Sequence, residues 1–489
     1  MRQDADLGDG RPVHGLVFDL GAGSGRTMLS TFDGATLALR EIDRFDGFVL
    51  EGEEPRWDVP ALKRHVDHGL RIAAASVDRI HSIGVDSWGL DYALLGKDGE
   101  PIVPPYHYRH PRSLRGFADC RISRERIFSV TGAQVLAVNT VFQLHDEIGR
   151  HPDRFDRATA LLMMADLINH HLTGACRNAT TLARTSGLLE VDGRSWSRSL
   201  LGLLGVPESI VSPLVEPGDI YGHLRPDLCA ALNWSCVPVA AVAAHDTASA
   251  VVGLPLGEDD AFVIGGSWSL IGAEVDRPIA DEALFAEGFG IEGGAGASTF
   301  LVKSFNGLHL VQKLRAAWSA RLGRTISFAD IAASAEAVRH ADIAPIDPSD
   351  PAFFDPADVV AAANAFHRRH GQPALDSVGA LAISIYKGLV RDLSGGLRFL
   401  EARRGRPFER VRLCGGGALD AVFASLLADG LGRIVVVGPV EASAWGNAVM
   451  QLRALRLVAS VEEGRRLIAR SLEFRIHRPS RDAATTGAC

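Results

Sequence analysis

Several short stretches of the chain hold side chains that could do chemistry. In "AAHDTASAVVGLPL" Asp246 ends an apolar run and opens a small-residue segment. A carboxylate fixed there can accept a proton from a hydroxyl, and a helix beginning at it would help keep it ionised. It can equally be the N-cap of that helix. In "VFDLGAGSGRTMLSTFDG" Asp19 precedes Gly21, Gly23 and Gly25. Glycines at this density suit a backbone that a phosphate approaches closely. Asp19 could hold the water shell of a Mg²⁺ ion, which keeps several waters and takes few direct carboxylates, or it could cap the turn. Arg26, just beyond, could approach a phosphate or form a surface ion pair. "GVDSWGLDY" sets Asp86 and Asp91 around Trp88 and Gly89. Carboxylates beside an aromatic face suit a polyhydroxylated ligand, although a tryptophan next to a glycine is often core. Gly415, Gly416 and Gly417 in "VRLCGGGALDAVF" sit between a strand and a helix, where small residues admit a ligand against backbone or simply permit a tight turn.

The elements that carry these residues alternate strand and helix. The first glycine cluster matches neither familiar phosphate loop: no lysine follows it, and no helix does either. Thr27, Leu29 and Thr31 alternate with Met28, Ser30 and Phe32, and Asp33-Gly34 turns the chain into "ATLALREIDRF". That is a strand–turn–strand–turn–strand pattern. "AFVIGGSWSLIGAEVD" repeats it from Ala261 without sequence identity. "IHSIGVDSWGLDYALLGKDGEPI" reads as a strand, a loop and a hairpin closing at Asp98-Gly99. "ALLMMADLINHHLTG" reads as a helix closed by Gly174. "DPADVVAAANAFHRRHG" reads as a helix with Asp355 at its N-cap, Pro356 in its first turn and Gly371 past its end. "APIDPSDPAFF" reads as an ordered loop between helices. Two halves that each begin with the same hairpin predict a duplicated α/β domain with a cleft between the copies.

The whole chain narrows the function classes. At 489 residues and 47% hydrophobic composition it exceeds one ordinary core. A net charge of −8, from 51 basic and 59 acidic residues, argues against nucleic-acid and membrane-surface partners. No apolar run approaches the ~20 residues of a spanning helix. The start "MRQDADLGDGRPVHG" is polar and acidic, unlike a signal peptide, so a cytoplasmic protein is expected. Six scattered cysteines without a C-x-x-C pair speak against disulfides or zinc. The tail "RPSRDAATTGAC" is expected to lack order.

Seven motifs, taken in order, resemble those of the FGGY carbohydrate kinases: "DLGAGSGR", "SIGVDSWGLDYALL", "PYHYRHPR", "AAHDTASAVVGLPL", "GGSWSLIGAE", "CGGGALDAVFASLLADGLG" and "GPVEASAWGNAVMQL". The resemblance covers Val17 to about Leu455. It implies an α/β fold of two actin-like (ribonuclease-H-like) ATPase domains, 14–252 and 258–460, with a catalytic cleft between them. It implies Asp246 as the catalytic base, and places Gly89, Trp88, Asp86, His245, Asp246, Thr247 and Asn306 on the sugar, with Tyr108 and Arg109 lining the same pocket. ATP would lie on Gly21, Ala22, Gly23, Ser24, Gly25, Arg26, Ser267, Gln312, Gly415, Gly416 and Gly417. Ser267 stands where the family usually has threonine, and "NGLHLVQKL" is shorter between Asn306 and Gln312 than the family pattern. Asp19 would hold Mg²⁺ through water.

The implied activity is ATP-dependent phosphorylation of the O1 hydroxyl of a ketose. L-rhamnulose is the expected substrate, with L-fuculose or another ketose or pentulose as the alternative. A non-catalytic sugar-sensing actin-fold ATPase is the alternative from another class, and the intact "HDTAS" speaks against it. The expected partners are small molecules, with a monomer or homodimer as the oligomeric state.

Overall fold

A computed structural model of the protein describes residues 11–50, 52–277, 279–295 and 298–480. The first ten residues of the polar N-terminus and the tail from 481 lie outside it. The chain forms two compact units. The first holds the residues to Pro255, Val275–Leu301 and Ala442–Glu473; the second holds Leu256–Glu274, Val302–Glu441 and the chain from Phe474. Two segments from far along the sequence therefore fold with the first unit.

The first unit is built on strands β1 (Val13–Leu20), β2 (Gly25–Phe32), β3 (Leu37–Phe45), β4 (Ser82–Ser87), β5 (Ile220–His223) and β6 (Pro238–Ala240), in spatial order β5-β6-β4-β1-β2-β3. β1 pairs antiparallel with β2 and parallel with β4. β1 and β4 are interior strands, so they read as nearly continuous buried runs rather than alternating ones. The helices Asp246–Gly253 and Ala442–Ala454 pack at backbone distance. A Cβ on Gly253 would run into the Ala442 carbonyl, and one on Gly446 into the Ser249 carbonyl. Glycine at both positions lets the two helices pack this closely, which holds in place the helix that Asp246 opens.

The second unit repeats the plan with β7 (Asp260–Gly265), β8 (Trp268–Val275), β9 (Thr299–Asn306), β10 (Arg410–Cys414), β11 (Ile434–Val437) and β12 (Arg475–His477). Their order is β9-β8-β7-β10-β11-β12. β7 pairs antiparallel with β8 and parallel with β10, the pattern of β1 with β2 and β4. The fold is a two-domain α/β fold.

Three local expectations need correction. Ala160–Met163 is a strand and not the first turn of a helix: all four residues are buried, and they pair with Tyr92–Leu95. A short, wholly apolar run carries no periodicity to decide between the two. Tyr92–Leu95 accordingly makes its main pairing with that strand, and only Leu95 bridges back to Pro101 after the Gly99 turn. The helix Val359–Arg369 is capped by Asp358, whose Oδ1 accepts from the amides of Val360 and Ala361, so Asp355 and Pro356 precede it. Gly416–Leu419 is a single 3-10 turn, and the α-helix starts at Ala421 with Asp420 as its cap. Gly174 closes the helix Met164–Thr173 in left-handed backbone as expected. Among the described residues no helix is long and apolar enough to cross a membrane.

Candidate active site

The neighbouring ends of β1 and β4 put two carboxylates side by side, because parallel register aligns Asp19 with Asp86. Asp19 is 6% exposed; its Oδ2 accepts from Ser443 Oγ at 2.9 Å and lies 3.5 Å from the Arg26 guanidinium. Asp86 is fully buried. Its Oδ2 accepts from Asn447 Nδ2 at 2.6 Å, and among the described residues no hydrogen-bond partner is placed on its Oδ1. Burial and the Asp19 charge hold the Asp86 carboxyl well above the usual range, with Asn447 opposing and Asp246 adding to the rise.

Asp246 joins this pair through the segment after β6, where Ser87 N donates to Ala244 O and Ser87 bridges His245. Its two oxygens differ. Oδ1 accepts from Thr247 N at 2.6 Å and from Thr247 Oγ1 at 3.4 Å, and it lies 3.4 Å from His245 Nε2. None of the described residues donates to Oδ2, and the side chain keeps 37% of its exposure. Burial raises the Asp246 pKa most, His245 works against the rise and Asp19 adds to it. A carboxylate oxygen held open next to an ordered, occupied one is what a proton acceptor requires. His245 Nδ1 in turn lies 2.9 Å from Glu292 Oε2.

The loop after β4 is pinned. Leu90 adopts φ +79, unusual for a branched residue. Its N–H donates to Thr185 Oγ1 at 3.0 Å, and its carbonyl accepts from Thr140 Oγ1 at 2.5 Å and Gln143 Nε2 at 3.3 Å. A Cβ on Gly89 would come within 2.9 Å of Thr185 Oγ1, so glycine is needed there. Such over-determination is how a strained loop keeps a fixed shape.

Two expectations fail around this loop. Trp88 is 4% exposed and packs against Trp57 and Phe48, so it belongs to the core and offers no open ring face. Asp91 is fully buried. Its Oδ2 accepts from Trp57 Nε1 at 2.7 Å, Trp88 Nε1 at 3.1 Å and Tyr108 N at 3.1 Å, and its Oδ1 from Gln143 Nε2 at 3.2 Å. Burial pushes its pKa to about 7 against those donors. It anchors the loop and has no face for a hydroxyl. Tyr106 is likewise buried, with Arg56 and Arg112 on its ring. Tyr108 is half-buried, and Arg109 is exposed.

The first hairpin turn is open. Gly21 N donates to Ser24 O at 3.0 Å, Ala22 and Ser24 are half-buried, and Gly23 is exposed with nothing near a Cβ placed on it. Gly25 is glycine for another reason: a Cβ there would strike the Phe45 ring. In the second unit Ser267 stands exposed at the β7–β8 turn. Gly415 has φ +76, and its carbonyl-facing side and Gly417 both pack on Gly265. Gly416 is exposed, with only Gly265 O at 3.7 Å from a Cβ on it. Gln312 is exposed on the helix His309–Leu322. Asn306 spends its amide nitrogen on the carbonyls of Pro348 and Phe353, at 3.1 and 2.7 Å, which removes it as a donor to a ligand.

Residues 16–253 match the N-terminal domain of the FGGY family of carbohydrate kinases, and residues 261–455 match its C-terminal domain. The chain belongs to the FGGY family of carbohydrate kinases. This kinase is 34% identical over 479 residues to the rhamnulokinase of Bacteroides thetaiotaomicron, covering 97% of each chain. It is 36% identical over 475 residues to that of Pectobacterium atrosepticum, covering 95% of this chain and 92% of the relative. Its fold is similar to gluconate kinase from Lactobacillus acidophilus, at TM-score 0.76 and 15% identity over 97% of this chain and 95% of that one. It is also similar to Plasmodium falciparum glycerol kinase with ADP, at TM-score 0.78 and 13% identity over 98% and 96%.

Several residues that shape the kinase's first unit escaped the sequence reading. Asn447 and Gln451 lie one turn apart on the helix Ala442–Ala454. Gln451 Nε2 donates to Asn447 Oδ1 at 2.7 Å and to Leu16 O at 3.0 Å, and Ser82 Oγ donates to Gln451 Oε1 at 2.6 Å. This buried chain of amides fixes Asp86. Its signal, two amides at i and i+4 among apolar residues in "WGNAVMQL", was available. Glu292 and Thr185 had no comparable signal.

Proposed function

We propose that this kinase transfers the γ-phosphoryl group of ATP to the O1 hydroxyl of a ketose, L-rhamnulose, with Mg²⁺, and that its two domains run 14–252 and 258–460. The observation that carries this reading is the asymmetry of Asp246, with Oδ1 occupied by Thr247 and Oδ2 open. Oδ2 accepts the O1 proton as the phosphoryl group leaves ADP, and Thr247 N holds the carboxylate in line for it. A pKa raised from the usual range makes Asp246 a stronger acceptor. The backbone at Gly89, fixed by Leu90 and Thr185, orients the sugar, and His245 and Thr247 reach its hydroxyls. Half-buried Tyr108 is the ring left to cover the 6-methyl group.

ATP lies on the turn 21–25 with Arg26, and on Ser267, Gln312 and Gly415–Gly417. The aligned Asp19 and Asp86 carboxyl groups form a hard-oxygen corner of the kind that magnesium takes. Asp19 would hold the ion through water. The ion, when bound, supplies charge neutralisation for the phosphates.

The rhamnulokinase names of the relatives support L-rhamnulose. The test is ADP release by purified protein over a panel of acceptors. kcat/KM is expected to be highest for L-rhamnulose, lower for L-fuculose and L-ribulose-like ketoses, and negligible for glycerol. A methyl contact alone gives roughly 10–200-fold selectivity. A pentulose or L-fuculose phosphorylated faster than L-rhamnulose overturns the substrate assignment.

A further inference from the structure

Glu292 sits on the short strand Gly290–Gly293, pressed into the first unit by glycines on either side. Ile291 N donates to Gly132 O at 2.8 Å, a Cβ on Gly290 would strike Gln134 N, and one on Gly293 would come within 2.8 Å of Arg184 Cδ. The side chains of Glu292 and His245 are 19% and 12% exposed, and Oε2 and Nδ1 are 2.9 Å apart. On the other side of the ring, Nε2 lies 3.4 Å from Asp246 Oδ1. The imidazole thus bridges a half-buried glutamate and the open-sided aspartate.

We propose that Glu292 is a positioning residue: by accepting from His245 Nδ1 it turns the imidazole so that Nε2–H is presented to Asp246 Oδ1 and to the sugar hydroxyl beside it. This rests on the reading of Asp246 as proton acceptor. A single donor at Nδ1 orients the ring, and a hydrogen on Nε2 as well makes it an imidazolium between two carboxylates. The Nε2 charge then lies beside Oδ1, at 3.4 Å, and leaves Oδ2 as the basic oxygen. The charged groups around the ring are Glu292 from the facing strand and Asp246 from its own helix, with Arg184 beyond Glu292 and Asp19 beyond Asp246. Burial pulls His245 down, but the two carboxylates outweigh it and its pKa lies above the ordinary histidine value. The form presented to the sugar is therefore lost as pH rises through that value.

Glu292→Gln keeps an acceptor for Nδ1 and removes the charge. The alkaline limb of kcat/KM for the ketose should move to lower pH by about one unit, as expected when an opposite charge is removed from a histidine. Glu292→Asp, which keeps the charge, should move it less, and KM for ATP should hold in both. Nitrogen NMR of the wild-type protein should find both His245 ring nitrogens protonated near neutral pH, which keeps the test valid if a variant fails to fold. A limb unmoved in folded Glu292→Gln, equal displacement in the Asp and Gln variants, or a neutral ring with Nδ1 unprotonated overturns the proposal. If Asp246→Asn is inactive in the same assay, such a result refutes the role of Glu292 alone; an active Asp246→Asn refutes the base reading first.

Discussion

The hairpins β1–β2 and β7–β8 share one plan and have diverged in what they place at their turns. Each has an antiparallel partner and a parallel neighbour. In the first unit the aligned strand ends carry Asp19 and Asp86. In the second the equivalent ends lead into Gly265 and Gly415, whose backbones touch. One copy supplies charge and the other supplies close approach. A parallel strand end fixes a residue firmly enough to serve either purpose, and the side chain decides which. On the reading proposed above, these are the transfer site and the nucleotide site.

Breaking the charged copy should have the largest effect. Asp246→Asn should lower kcat by at least ~10², the low end for a general base, with nucleotide binding by calorimetry nearly intact. The reverse pattern is expected from the glycine copy. Gly416 has open space on its Cβ side, so Gly416→Leu should fold normally and raise KM for ATP far more than KM for sugar. A sugar KM that rises instead breaks the division. Asn447→Leu should lower stability by about 1–3 kcal/mol, because the buried Asp86 oxygen and Gln451 lose a partner; chemical denaturation reads this. The smallest effect separates two neighbouring glycines. Gly25→Ala meets the Phe45 ring and should show mainly as a lower melting temperature, with a smaller rise in KM for ATP. Gly23→Ala meets nothing in the protein and should do the opposite.

Much of this is legible in the sequence. The hairpins follow from period-two alternation around glycine turns, and the helix opening at Asp246 follows from a polar residue ending an apolar run. Asp19 stands at the end of β1, where the pattern puts it, whereas Asp246 opens its helix beyond the end of β6, after a short non-strand segment. Trp88 and Asp91 misled because an aromatic beside carboxylates looks alike in a ligand site and in a buried hydrogen-bonded hub. Only the positions of Trp57, Phe48 and Gln143, distant in sequence, distinguish the two. Glu292 in "GIEGG" was silent for the same reason: a lone carboxylate among glycines gains meaning from His245, which tertiary packing alone brings to it. Ala160–Met163 shows the limit for short apolar runs, whose form depends on the strand they meet.

The most direct test of the account is the product. Purified protein incubated with ATP, Mg²⁺ and L-rhamnulose should yield ADP and a sugar phosphomonoester whose phosphorus couples to the C1 methylene protons in NMR. The Asp246→Asn protein should give almost none over the same period. Phosphate on any other oxygen, ADP released equally without sugar, or an undiminished yield from Asp246→Asn would contradict it.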